Sequence, residues 1–169
     1  EEAIDALRVK NQQAEGLKDT AAAYDQEGQI QEALDYYNQS QALVPSQAIE
    51  ERILRISRRL ELIAEADKLA GTGSSLERNG KLVEAIESYK ASLENNPDEA
   101  LALHVKELEE IVVQRKRQAA ALFREGSDLQ RKRQETEALL RYRESMAMWP
   151  SPEAQKRIDA LERTVRLPK

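Results

Sequence analysis

"EALDYYNQSQALVP" at residues 32–45 returns as "EAIESYKASLENNP" at 84–97 and as "EALLRYRESMAMWP" at 137–150. Aligned on their closing prolines, the three stretches superpose residue for residue. Ala33, Ala85 and Ala138 coincide, as do Tyr37, Tyr89 and Tyr142, and Ser40, Ser92 and Ser145. Pro45, Pro97 and Pro150 lie 52 and 53 residues apart. Self-similarity at a fixed period marks a repeat architecture and outweighs any single local reading. Each stretch reads as a helix: in the middle copy Leu82, Ala85, Ile86, Tyr89 and Leu93 form one apolar stripe with charges opposite.

Working outward, a second helix precedes each of these: "AEGLKDTAAAYDQ" (14–26), "ADKLAGTGSSLER" (66–78) and "AAALFREGSDLQR" (119–131). "EGQ" (27–29) and "NGK" (79–81) supply glycine turns between the paired helices, while the third pair has "KRQE" (132–135), a weaker stop. A third helix follows each pair, in "SQAIEERILRISRRLELI", "DEALALHVKELEEIVVQR" and "SPEAQKRIDALERTVRL". Asn96 before a first-turn Pro97, with Glu99 at the capping-box position, is the expected start of the second of these, and Ser151-Pro152-Glu153 repeats the device. The chain therefore divides into units 1–65, 66–118 and 119–169, each of three helices.

Leu101, Val105, Leu108, Val112, Arg115, Ala119, Leu122, Gly126 and Leu129 alternate four- and three-residue steps with one polar break. Ile49, Ile53, Ile56, Leu60 and Ile63 do the same and run into Ala66 and Leu69. Helices continuous over 47–79 and 98–132 are expected. Eighteen inserted residues at 1.5 Å each would displace successive hairpins by about 27 Å, as in a staircase. A sharp turn near 64–66 and 116–119 would instead give a compact solenoid.

Composition agrees with an all-α chain. The 169 residues hold only 6 Gly and 5 Pro, 34% are charged and 4% aromatic, against a 40% apolar share too high for a disordered tail. A net charge of −5 argues against nucleic acid as partner. No apolar run reaches the roughly 20 residues of a membrane span, so no membrane insertion is expected. With no Cys, disulfides, thiolate metal sites and a Cys nucleophile are excluded. Cytoplasm and periplasm both suit such a soluble chain. The absence of an initiator Met and of a signal-peptide pattern leads us to expect a portion of a longer, bacterial protein.

The paired helices resemble the tetratricopeptide repeat (TPR), over its full 34-residue length. In the first helix the family places a large apolar residue, a small one, then Tyr or Leu. Here these are Leu17, Ala21 and Tyr24; Leu69, Gly73 and Leu76; and Leu122, Gly126 and Leu129. The second helix then carries small, aromatic, small and Pro, as in Ala33, Tyr37, Ser40 and Pro45 and their counterparts. Small residues let helices approach and the aromatic fills the gap. The chain departs from the family in period, 52 or 53 residues rather than 34.

The resemblance implies a TPR-like helical array that engages protein or peptide partners through a groove. Its lining would be Glu15, Lys18, Ala22, Asp25 and Gln26; Asp67, Ala70, Ser74, Glu77 and Arg78; and Ala120, Phe123, Ser127, Gln130 and Arg131. Chaperone-binding members clamp a peptide carboxylate with Lys and Asn. Ala22 and Ser74 stand where that Asn is needed, so a clamp is not implied.

Nothing in the chain reads as a catalytic constellation. His104 is the lone His and cannot build a metal site or a Ser-His pair. Carboxylates fall in helical charge patterns such as Glu51–Arg55, Asp128–Lys132, Glu137–Arg141 and Glu153–Arg157, which belong to solvated faces. "GTGSSLERNGK" (71–81) lacks the order of a phosphate loop. The basic runs 52–59, 115–118 and 131–134 could suit RNA or an acidic partner, but acidic residues flank them. We expect a non-enzymatic interaction or spacer module without cofactor or metal, with a sensory or small-molecule-binding helical domain as the alternative. Lys18, Arg78, Phe123, Arg131 and Trp149, the only Trp, are the candidate partner contacts.

Overall fold

Strong helix formers punctuated by few glycines and prolines give a computed structural model that is all-helical over the described residues, 1–164. Its helices are α1 (Glu2–Gln26), α2 (Ile30–Leu43), α3 (Gln47–Arg78), α4 (Leu82–Asn95), α5 (Glu99–Arg131), α6 (Glu135–Met148) and α7 (Pro152–Thr164). There is no strand among them. The chain forms two compact units, one of residues 1–74 with 88–98 and one of 75–87 with 99–169.

Helices α3 and α5 run unbroken through residues 64–66 and 116–119, where a turn was the alternative. Two boundaries differ from those read in the sequence. Helix α1 starts at Glu2 rather than near residue 14, and residues 1–13 are all exposed. Helix α5 starts at Glu99, so Asp98 and not Asn96 holds the N-cap position, with Pro97 outside the helix. Ser46 and Ser151 stand at the same point before α3 and α7. Asp and Ser are favoured there because their oxygens accept from the unpaired N–H groups of the first turn. Ser151 Oγ accepts from Ala154 N–H at 3.4 Å.

In the first unit Ala21, Ala33 and Tyr37 of the α1–α2 hairpin bury against Ile49 and Ile56 of α3. Tyr24 and Tyr36 stack at the rim with centroids 5.3 Å apart. In the second unit Ala138, Leu139 and Tyr142 of α6 bury with Ile158 and Leu161 of α7, flanked by Phe123, Leu129 and Met146. Each large apolar side chain so buried contributes roughly 1.5–3 kcal/mol.

One polar contact recurs at all three prolines' helices. Ser40 Oγ donates to the Ala14 carbonyl at 2.8 Å, Ser92 to Ala66 at 2.7 Å and Ser145 to Ala119 at 2.8 Å, each spanning 26 residues. These serines are buried, and their hydroxyls need such a partner. The tyrosines three residues earlier, Tyr37, Tyr89 and Tyr142, are 4%, 5% and 0% exposed, so the aromatic position is core in every copy. Tyr89 and Tyr142 lie against Gly73 and Gly126, where an added Cβ would come within 2.6 Å and 2.9 Å of a ring carbon.

The turns between paired helices share a backbone as well. Gly28 and Gly80 hold φ of 79° and 75°, and Arg133, at the same place in the third pair, holds φ of 60°. In each, the next residue donates back five positions: Gln29 to Tyr24, Lys81 to Leu76 and Gln134 to Leu129. A left-handed residue closed by that bond is the Schellman ending of a helix. "KRQE" thus makes the same stop without glycine.

Candidate functional site

The candidate residues fall in four places. Phe123 and Trp149 line one cleft of about 270 Å³ in the second unit, together with Lys116, Ala120, Arg124 and Glu153. Lys18 lines a smaller cleft of about 180 Å³ in the first unit. Arg78 and Arg131 are exposed last residues of α3 and α5, away from both clefts, and Arg131 pairs with Asp128.

The two clefts occupy the same position in their hairpins. Ser40 with Ala14 floors one, Ser145 with Ala119 the other. Their linings differ. Lys18 stands where the other has Phe123, Glu15 where it has Ala120, and Val44 where it has Trp149. Lys18 is bonded to the Glu15 carboxylate. That hydrogen bond holds its ammonium above the usual lysine range, so the two charges in the first cleft's lining already satisfy each other. The same positions around the middle hairpin carry Asp67, Ala70 and Asn96, none of them aromatic.

At these cleft positions, then, only the third hairpin is aromatic. Phe123, half-buried, packs on Tyr142 with centroids 5.1 Å apart and planes at 53°. Tyr142 is held in turn: its hydroxyl donates to Gln130 Oε1 at 3.0 Å and lies 3.2 Å from Ser127 Oγ. Trp149, also half-buried, caps α6 in extended geometry, and Lys116 Nζ sits 4.9 Å from its ring centroid. A cation over an indole is attracted by the ring's quadrupole, by about 0.5–1 kcal/mol at an exposed site. Phe123 thus both packs on the hairpin and lines the cleft.

Lys116, Arg124 and Glu153 were not among the residues expected from sequence. Lys116 precedes Phe123 by seven residues, two turns down the same face of α5, a spacing that could have found it. Glu153 reaches the cleft only because α7 starts beside it, which no spacing reveals. Elsewhere polar pairs hold helices together: Arg52 with Asp25 at 2.8 Å, His104 with Glu77 at 2.9 Å, and Arg141 with Glu125 at 3.3 Å. Among the described residues no group of three or more His, Asp or Glu is placed to hold a metal ion, and no helix is long and apolar enough to cross a membrane.

No protein-family model matches the chain, and no curated protein is significantly similar to it.

Proposed function

We propose that the chain is a TPR-like, non-enzymatic module that binds a segment of a partner protein, and that the third hairpin's cleft is where it does so. The observation that carries this is that Phe123 and Trp149 share one cleft at a position where the first hairpin has Lys18 bonded to Glu15, and Val44. Rigid, half-buried aromatic rings supply contact area at little entropic cost, and residues of this kind dominate binding energy at interfaces. Three copies of the serine-to-carbonyl contact and the tyrosine-on-small-residue packing support the array reading.

Trp149 makes the test direct, because the chain has no other tryptophan. Peptides selected from a random displayed library should shift its emission on binding. Phe123→Ala should weaken them by about 1–2 kcal/mol or more, the range of interface anchors. Selected peptides that bind without moving Trp149 emission, and equally to the Phe123→Ala protein, would overturn the proposal.

A further inference from the structure

We infer that the Phe123–Trp149 cleft takes an acidic segment of its partner, an apolar side chain entering beside the two rings and carboxylates meeting Lys116 and Arg124. The inference rests on the protein-binding reading above and adds the chemistry of the partner.

Charge at the rim is the first ground. Lys116 and Arg124 face a single Glu153 around the cleft, a local excess of one positive charge on a chain whose net charge is −5. The corresponding positions of the first hairpin are Asn11, Asp19 and Ala48, so Arg124 replaces an acid and Lys116 a neutral amide. With Glu15 and Lys18 cancelling, the lining of that first cleft carries no net charge. The hairpin positions correspond at both places, and only the third hairpin's cleft has a positive rim.

The second ground is what these cations do in the free protein. The neighbour of Lys116 is the Trp149 ring, not a carboxylate. An ammonium has three donors and a ring face uses none of them geometrically. Arg124 is exposed and has no ion-pair partner among the described residues. By contrast Lys18, Arg52, Arg131, Arg141 and Arg143 all hold carboxylates. A guanidinium and an ammonium flanking an aromatic cleft, both open to new acceptors, complement a carboxylate-rich segment with an apolar anchor. A nucleic-acid strand fits less well. Lys116 already covers the Trp149 ring, and Glu153 stands at the rim where a phosphate would pass.

The experiment uses the full chain and three synthetic hexapeptides, each acetylated and amidated so that no terminal carboxylate takes part. One has a central Leu-Phe pair flanked by two glutamates on either side. The second has lysines for the glutamates, and the third serines for Leu-Phe. Binding is followed by Trp149 emission and by calorimetry. The acidic, anchored peptide should bind at least tenfold more tightly than either twin and lose affinity as salt rises. Lys116→Gln and Arg124→Gln should each weaken it about two- to fivefold, the range of an exposed ion pair. Glu153→Gln should tighten it by a similar factor, which a merely structural role for these side chains does not produce. Ala120→Glu, on an exposed residue that touches no core, should block binding and guards against a Phe123 variant that fails to fold.

If display-selected peptides move Trp149 but the lysine twin binds as well as the acidic one, or Arg124→Gln and Glu153→Gln change nothing, the acidic-partner inference is overturned and the protein-binding reading stands. If an eight-residue oligothymidylate binds more tightly than the acidic peptide and moves Trp149 emission, nucleic acid is the ligand and the inference is likewise overturned. If no peptide, selected or designed, moves Trp149, both fall together.

Discussion

Replacing Gly73 by alanine should destabilise the protein, whereas the same change two residues earlier should stabilise it. A Cβ at Gly73 would lie 2.6 Å from Tyr89 Cδ1, 2.7 Å from Cε1 and 3.0 Å from Cγ. Because Cγ sits next to the Tyr89 Cβ, the ring cannot swing clear unless α4 shifts. Overpacking of this sort costs about 1–3 kcal/mol. The methyl also removes glycine's excess backbone freedom in the unfolded chain, which returns about 1 kcal/mol in a helix interior. A net loss of about 1 kcal/mol remains. At Gly71 no atom lies within 4 Å of the added Cβ, so only the gain of about 0.5–1 kcal/mol survives. Urea unfolding followed by circular dichroism should separate the two variants by about 2 kcal/mol. In a Tyr89→Leu background the penalty at Gly73 should vanish, giving a coupling energy of the size seen between touching residues. Ala21 already occupies the matching position beside Tyr37, and both are buried, so the first hairpin has settled around its methyl group. The penalty therefore belongs to helices spaced for glycine. A Gly73→Ala protein as stable as Gly71→Ala would refute the packing argument.

Arg133→Gly should stabilise by about 1 kcal/mol, since an L-residue in the left-handed region is strained by about that much and φ there is 60°; a lower urea midpoint would contradict this. Tyr89→Ala should cost about 3–5 kcal/mol, as large buried aromatics do, and an unfolding curve unchanged from the parent would show that the tyrosine position is not core. Tyr142→Phe should cost about 0.5–1.5 kcal/mol by removing the bond to Gln130, read as a fall in thermal midpoint of a few degrees.

Much of the fold was legible because the repeat states each element three times. Prolines mark where α2, α4 and α6 end, and the unbroken four-three stripes gave α3 and α5 as continuous helices. What stayed hidden has physical reasons. Residues 2–13 carry no motif, only helix-forming residues and an uncommitted face with Ile4 and Leu7 at 71% and 59% exposure. The cap at Asp98 was misplaced to Asn96 because both residues can cap, and only the backbone decides which one does. Two ion pairs expected four residues apart form at three instead: Asp128 pairs with Arg131 rather than Lys132, and Arg141 with Glu144 rather than Glu137; both neighbours lie on one helix face and rotamers choose between them. At the site the aromatic pair was readable, since Phe and Trp are each unique in the chain. Of its charged rim, Glu153 was not, because it arrives from another helix.

The serine-to-carbonyl bonds have a kinetic consequence. Each closes a loop of 26 residues, and each joins helices separated by a single short turn. Closing a loop of that length costs on the order of 3 kcal/mol in chain entropy, and the cost rises only slowly with length. Proteins rich in such near-neighbour contacts have low relative contact order and fold in microseconds to milliseconds. The α1–α2 hairpin has its serine bond complete by residue 40. During synthesis at roughly 5–20 residues per second, that hairpin has seconds to form before the third hairpin's residues exist. Nucleation can thus begin at the first hairpin on the ribosome, without waiting for any distant strand or helix to arrive.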